Sequence, residues 1–297
     1  MNKGIPTLIP VSRPLISKID INAVAQAVKS TFVANGPSIL EFEKQMAIYC
    51  GRKYAVAVSN GTQALYLAVK SLNLPQNSKI FVPSFTIVSA LFAIIESGHI
   101  PYFSDVMEDT WNINEKAVQK GIEDGIAAAI IVETYASAPP MKDIAILLQK
   151  YNIPMIEDAA EGFGGADEGK KFGSFGDLSA VSFYSNKLIT MGEGGMILTD
   201  NQSLYQRLCM LRNLFFNKER TFIHDQLSGN TRITNYQAAL GLSQLKRINS
   251  FYKQRQRLYT IYSKMLNPLQ DKIQFQFIQK DIKSSYWVFP ILLKKKS

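Results

Sequence analysis

Apolar residues recur along this chain in two rhythms. From Ser17 to Ser30 they fall at helical spacing, with Ile21, Val24, Ala25 and Val28 on one side and Ser17 and Asp20 at capping spacing. Asn35-Gly36-Pro37 then breaks the chain, and Ser38 with Glu41 reads as a Ser-x-x-Glu capping box opening a helix that carries Phe42, Met46 and Tyr49. From Tyr54 the rhythm becomes one of short continuous apolar runs. Tyr54 to Val58, Lys79 to Val82, Tyr102-Phe103, Ala127 to Val132, Ile153 to Ile156 and Leu178 to Tyr184 predict strands, most of them buried on both faces. Helical patterns alternate with them, to about Leu72 and then over Thr86 to Ser97, Asn114 to Ile122 and Met141 to Lys150. That alternation predicts an α/β fold, a mainly parallel sheet covered by helices on both faces. Beyond Thr199 helices are predicted over Gln202 to Leu214 and, as one long piece, Gln237 to Arg257, with a polar irregular stretch from Asn217 to Asn230 between them.

An apolar share of 46% over 297 residues supports a sizeable core, as one large domain plus part of a second. No apolar run approaches about 18 residues and Met1-Asn2-Lys3-Gly4 lacks an apolar signal core, so a cytoplasmic protein with no membrane partner is expected. The formal charge is +9, but the basic residues are scattered apart from Lys246 to Arg257 and Lys294-Lys295-Lys296. A solvated helix face accounts for the longer run first, and a surface attracting phosphorylated substrates second. No nucleic-acid motif accompanies it, so nucleic acid is not expected as a partner. Cys50, Cys209, His99 and His224 show no metal-ligand spacing, so no metal is expected. There is no Walker A motif, and Gly162, Gly164 and Gly165 lack the strand–turn–helix setting of a dinucleotide fingerprint.

Two stretches carry candidate chemistry. Asp158 closes a buried strand at the end where open α/β sheets place ligand groups, although a turn or helix-cap role would also suit it. Lys187 stands between an apolar strand and the turn Gly192-Glu193-Gly194-Gly195. A lysine becomes a nucleophile only when burial or a neighbouring cation lowers its proton affinity, and most of the chain's lysines are solvated. Upstream, Ser59-Asn60-Gly61-Thr62-Gln63 joins a strand to a helix N-terminus, either an ordinary capped turn or an anion site.

Glu157-Asp158-Ala159-Ala160-Glu161, Ser182-Phe183-Tyr184-Ser185-Asn186-Lys187 and Gly192-Glu193-Gly194-Gly195 together resemble the pyridoxal-phosphate sugar aminotransferases of the DegT/DnrJ/EryC1/StrS family. The resemblance runs from about Ile9 to Leu293 and is nearest to the perosamine-synthase-like group, which aminates C4 of a nucleotide-linked keto sugar. It implies a fold-type I aminotransferase that works as a homodimer with pyridoxal 5'-phosphate. It implies that Lys187 and Asp158 are catalytic, Lys187 carrying the cofactor and Asp158 holding its pyridine nitrogen protonated. Phe85 is then expected to stack on the ring and Glu161 to lie near its hydroxyl. Gly61, Thr62, Gln63 and Ser182 are expected at the phosphate, with Thr62 and Gln63 as backbone donors. Ser228 to Ala239 resembles the family's G-Y-N-Y-R-M-T segment, so Asn230 is expected to reach the partner's phosphate, although Ser228 and Gly229 replace its first two residues. Glu133 stands where the family commonly has histidine, and no role carries over to it.

The implied reaction moves an amino group from glutamate, leaving 2-oxoglutarate, to C4 of a nucleotide-linked 4-keto-6-deoxy sugar. Amination at C3 is the alternative, disfavoured because those enzymes tend to carry aspartate where Glu193 stands. A non-catalytic dimer of the same fold is another. Lys187, where dehydratase relatives have histidine, argues against dehydration. Residues 1–248 are expected to form the large cofactor-binding domain with its N-terminal arm, and 249–297 a linking helix and part of a small C-terminal domain. Ser285 to Ile291 reads as that domain's first strand, and it is expected to be incomplete because family members usually continue several dozen residues further.

Overall fold

The structure, a computed structural model, describes residues 10–135, 137–216 and 223–294. Helix α1 (Lys18–Lys29) opens on the expected capping box of Ser17 and Asp20. Helix α2 (Pro37–Cys50) does not use Ser38 and Glu41 that way: it starts two residues earlier, with Gly36 as N-cap and Pro37 in the first turn. Proline suits that place because its fixed φ is helical and its missing N–H would be unpaired there anyway. Ser38 donates its N–H to Asn235 Oδ1 instead, at 2.9 Å.

Strand β1 (Tyr54–Val58) and helix α3 (Gly61–Ser71) begin an alternating series. It continues with β2 (Lys79–Pro83), α4 (Val88–Glu96), β3 (Ile100–Ser104), α5 (Glu115–Glu123), β4 (Ala128–Val132), α6 (Met141–Lys150) and β5 (Met155–Asp158). A short hairpin of β6 (Ala166–Asp167) and β7 (Lys170–Lys171) precedes β8 (Leu178–Ser182) and β9 (Gly195–Thr199). Seven strands form one sheet in the order β1-β9-β8-β5-β4-β2-β3. Strands β8, β5, β4, β2 and β3 run parallel, and β9 runs antiparallel to both its neighbours, β1 and β8. The sheet is therefore mainly parallel, as the alternation predicted. Strand β9 itself has no clear sequence signal, because its apolar run, Met196 to Leu198, is short and merges with the preceding glycine-rich turn.

Alternate strand residues feed two cores, one on each face of the sheet. Ala129 and Ile131 of β4 join Phe42 and Met46 of α2 and Met141, Ile144 and Leu148 of α6. Ala128, Ile130 and Val132 join Leu65 and Leu67 of α3 and Ile94 of α4. Burial on both faces is why these strands read as continuous apolar runs.

Helix α7 (Gln202–Arg212) follows, and the single helix expected over Gln237 to Arg257 is two. Helix α8 (Asn235–Leu245) opens on a capping box of Thr234 and Gln237, and α9 (Ile248–Leu266) begins after Arg247, whose backbone leaves helical geometry. Arg247 there pairs with the fully buried Asp20 of α1, which also accepts from Ser243 at 2.7 Å. The irregular stretch predicted from Asn217 falls partly outside the described residues, as do Lys295 and Lys296. Strand β10 (Ile273–Phe275) pairs antiparallel with β12 (Ile291–Leu293), while β11 (Ile282–Lys283) adds to β6. The strand expected over Ser285 to Ile291 thus forms only from Ile291 onward. Tyr286, at φ 52, has left-handed backbone that no strand accommodates. No helix among the described residues is long and apolar enough to cross a membrane.

Candidate active site

Strand β5 ends with Asp158 at the carboxyl edge of the parallel strands, 1% exposed. Its Oδ1 accepts the Ala160 N–H at 3.1 Å, and its Oδ2 is buried with no hydrogen-bond partner in the protein. Burial pushes the Asp158 carboxyl up to about 6, against the pull of the Ala160 N–H and the Lys187 charge. Glu161, one turn on, accepts the Tyr135 N–H at 2.8 Å and is pushed up by burial to about 7. Lys187 follows β8 in a tight turn, its N–H donating to Tyr184 O at 2.9 Å, with the buried Leu188 and Ile189 anchoring the chain beyond it. Burial holds its amine below the usual lysine range, while the charges of Glu161 and Asp158 oppose that shift.

The open end of α3 faces these groups. Asn60 caps it, its Oδ1 accepting the Gln63 N–H at 2.9 Å and its carbonyl the Ala64 N–H. Among the described residues that leaves the N–H groups of Gly61 and Thr62 open in the first turn, while the Gln63 N–H is held by the Asn60 cap. Two glycines allow the close approach. A Cβ on Gly61 would lie 2.8 Å from Ser182 Cβ, and one on Gly195 would lie 2.3 Å from Asn60 O.

A cavity of about 560 Å³ joins Gly61, Thr62, Gln63, Asp158, Glu161, Ser182 and Lys187. Two expected site residues are elsewhere within this chain. Phe85 lines an adjacent cavity of about 1030 Å³, its ring set edge-on against Tyr135 with centroids 5.8 Å apart. Asn230 is exposed before α8, its Oδ1 accepting the Arg232 N–H at 3.3 Å. Other residues join the site without having been singled out. Ser89 of α4 shares a hydrogen bond of 2.8 Å with Thr62, and Trp287 places its ring 3.7 Å from Lys187 Nζ. Trp287 carries no local signal, because its contact lies a hundred residues back in the chain.

Glu133 lies beneath the Asp158 turn, fully buried, with its carboxyl against that of Glu157. Burial and the charge of Glu157 push its carboxyl well above the ordinary range. Burial raises Glu157 as well, but it accepts from Gly173 N–H at 2.6 Å, Phe175 N–H at 2.7 Å and the Ser179 hydroxyl at 2.5 Å, which favour its charged form and make it the more acidic of the pair.

A lysine and two carboxyl groups gathered at the carboxyl edge of a mainly parallel sheet, across from an open helix N-terminus, define an α/β enzyme site with an amine end and an anion-binding end. The chain belongs to the DegT/DnrJ/EryC1/StrS aminotransferase family, whose profile matches residues 14–297. A GDP-perosamine synthase from Escherichia coli O157:H7 is 34% identical over 96% of this chain and 78% of its own length. A UDP-4-amino-4,6-dideoxy-N-acetyl-beta-L-altrosamine transaminase from Campylobacter jejuni subsp. jejuni serotype O:23/36 is 32% identical over 96% of this chain and 77% of its own. Among solved structures, an aminotransferase from Psychrobacter cryohalolentis superposes with a TM-score of 0.87 at 26% identity, over 94% of this chain and 76% of that one. The fold is accordingly that of the fold-type I aminotransferases.

Proposed function

We propose that this protein is a pyridoxal-phosphate-dependent aminotransferase that moves an amino group from glutamate to C4 of a nucleotide-linked 4-keto-6-deoxy sugar. The observation that carries the cofactor reading is Asp158 Oδ2, a buried carboxylate oxygen without a protein partner on the same cavity as Lys187 and the α3 N-terminus. A pyridinium N–H would supply that partner, and the resulting ion pair would draw the carboxyl back towards its charged form. The unpaired Gly61 and Thr62 N–H groups, the α3 dipole and the Ser182 hydroxyl suit the phosphate. Glu161, on the same cavity, would face the ring hydroxyl, and the partner subunit's Asn230 would add a further amide to the phosphate in a homodimer.

Pyridoxal phosphate, when bound, supplies an aldehyde carbon for capturing amines and a ring that accepts electron density. Lys187 would hold the cofactor through Nζ, and its neutral amine would serve as the general base that takes the amino donor's α-proton and, as the resulting ammonium, as the general acid that gives a proton up again, finally to the sugar carbon. Burial favours that neutral form. The sugar reading draws on the relatives, which act on GDP- and UDP-linked sugars by name. Glu193 bears on the choice of C4 by resemblance alone.

The test is the absorbance spectrum of the protein with pyridoxal phosphate before and after glutamate, followed by turnover of 4-keto-6-deoxy sugar nucleotides. A protein-bound band that glutamate converts is expected. No band would sink the cofactor reading, and a band that glutamate leaves unchanged would sink the donor. Lys187→Ala should take up no cofactor that borohydride can fix to the protein, and should lose at least about 10³-fold in turnover.

A further inference from the structure

The C-terminal segment meets the lysine at Trp287. The centre of its ring lies 3.7 Å from Lys187 Nζ, on a wall shared by the Lys187 cavity and a neighbouring one of about 470 Å³. The indole is held from several directions. Its Nε1–H donates to Asn186 O at 3.0 Å, and its own carbonyl accepts from Arg255 at 2.5 Å. Arg255 also donates to Asn186 O at 3.2 Å, so one guanidinium fastens the ring's backbone to the residue before the lysine. Ser285 accepts the Trp287 N–H at 3.3 Å and donates to Glu161 O at 2.6 Å, which ties the same segment to the carboxylate turn. Tyr135 stacks against the indole, with centroids 6.3 Å apart.

We propose that Trp287 is a positioning residue for Lys187: its π face fixes the amine and favours the protonated form, so that the C-terminal segment helps set the pH at which the lysine becomes a nucleophile. This rests on Lys187 being the amine that takes the cofactor. An aromatic face attracts an ammonium group and has no such hold on a neutral amine. Asp158, Glu161 and Glu193 on the cavity favour the ammonium in the same direction, and Tyr184 lines the wall beside them. Arg13 and Arg255, which border an adjoining cavity that Lys187 also lines, oppose it. Replacing the indole leaves all six in place.

The chain has two tryptophans, so Trp111→Phe leaves Trp287 as the only indole. In that protein, without cofactor, emission should change with pH in one transition that disappears when Lys187→Met is added. A transition that survives Lys187→Met, or none at all, would overturn the proposal. The second readout is the pH profile of cofactor fixed to Lys187 by borohydride, measured by mass. Trp287→Leu should move its midpoint down by about one pH unit, roughly tenfold more attachment at a pH below the midpoint, while Trp287→Phe should stay within a few tenths. Equal midpoints for Trp287→Leu and the unaltered protein would also overturn it. If Trp287→Leu does not fold, the emission titration decides. Failure of the unaltered protein to take up pyridoxal phosphate would count against the cofactor reading, and the emission titration would still judge Trp287.

Discussion

Asp158 and Glu161 are carboxyl groups kept from water before any cofactor arrives, and that has a measurable consequence. Their folded values, about 6 and about 7, lie above the ordinary 3.8 and 4.5. Between those limits the folded chain holds more protons than the unfolded one, so stability is highest below about pH 4 for these groups, falls as pH rises, and levels off above about pH 7. For Asp158 alone the loss across the window is on the order of 3 kcal/mol. Asp158→Asn and Glu161→Gln should each flatten the fall in urea midpoint between pH 4 and about pH 8 for cofactor-free protein; an unchanged slope would show that these carboxyls are solvated. Pyridoxal phosphate should flatten the Asp158 contribution as well. Asp158 was legible in the sequence because it closes an apolar run, whereas Glu161 was expected only from the family resemblance. Phe85 was less legible: its identity suits stacking, but the direction of a loop side chain follows from packing, here against Tyr135.

At the scale of elements, the anion end of the site depends on how closely β9 and β8 press against the start of α3. Gly195→Ala would place a methyl group against the Asn60 carbonyl, backbone against backbone, and overpacking of that kind costs about 1–3 kcal/mol. Thermal unfolding should show that loss, together with weaker uptake of pyridoxal phosphate. Asn60→Ala should cost about 1 kcal/mol through the lost helix cap alone. A Gly195→Ala protein with unaltered stability and cofactor affinity would mean that the two backbones separate without consequence. Helices and parallel strands were readable because each carries its own period or run. The break between α8 and α9 was not, since it coincides with an ion pair from Arg247 to Asp20 in α1, far away in sequence. The early start of α2 was available in principle from Pro37, a stronger signal than the Ser38 and Glu41 spacing.

For the whole molecule, the proposed homodimer makes a prediction that one protomer cannot. Asn230 is exposed and apart from the Lys187 cavity of its own chain. A hybrid dimer of Lys187→Ala and Asn230→Ala chains should therefore keep one intact site if the asparagine acts on its partner, and none if it acts within its own chain. Cofactor fixed per hybrid, compared with the Asn230→Ala homodimer, reads the difference; hybrids no better than that homodimer would remove Asn230 from the partner's site. The alternation of elements made the α/β class legible along the chain, whereas the placement of β9 between β1 and β8 reverses one strand and joins a nearby antiparallel partner, β8, to a distant one, β1. That placement also bears on biosynthesis. Among the described residues strand β1 pairs with β9 alone, and β9 is made about 140 residues later. During translation the apolar Tyr54–Val58 segment therefore waits for most of the sheet to be synthesised before its edge is covered, a long interval in which a nascent chain is open to misassociation and to chaperones.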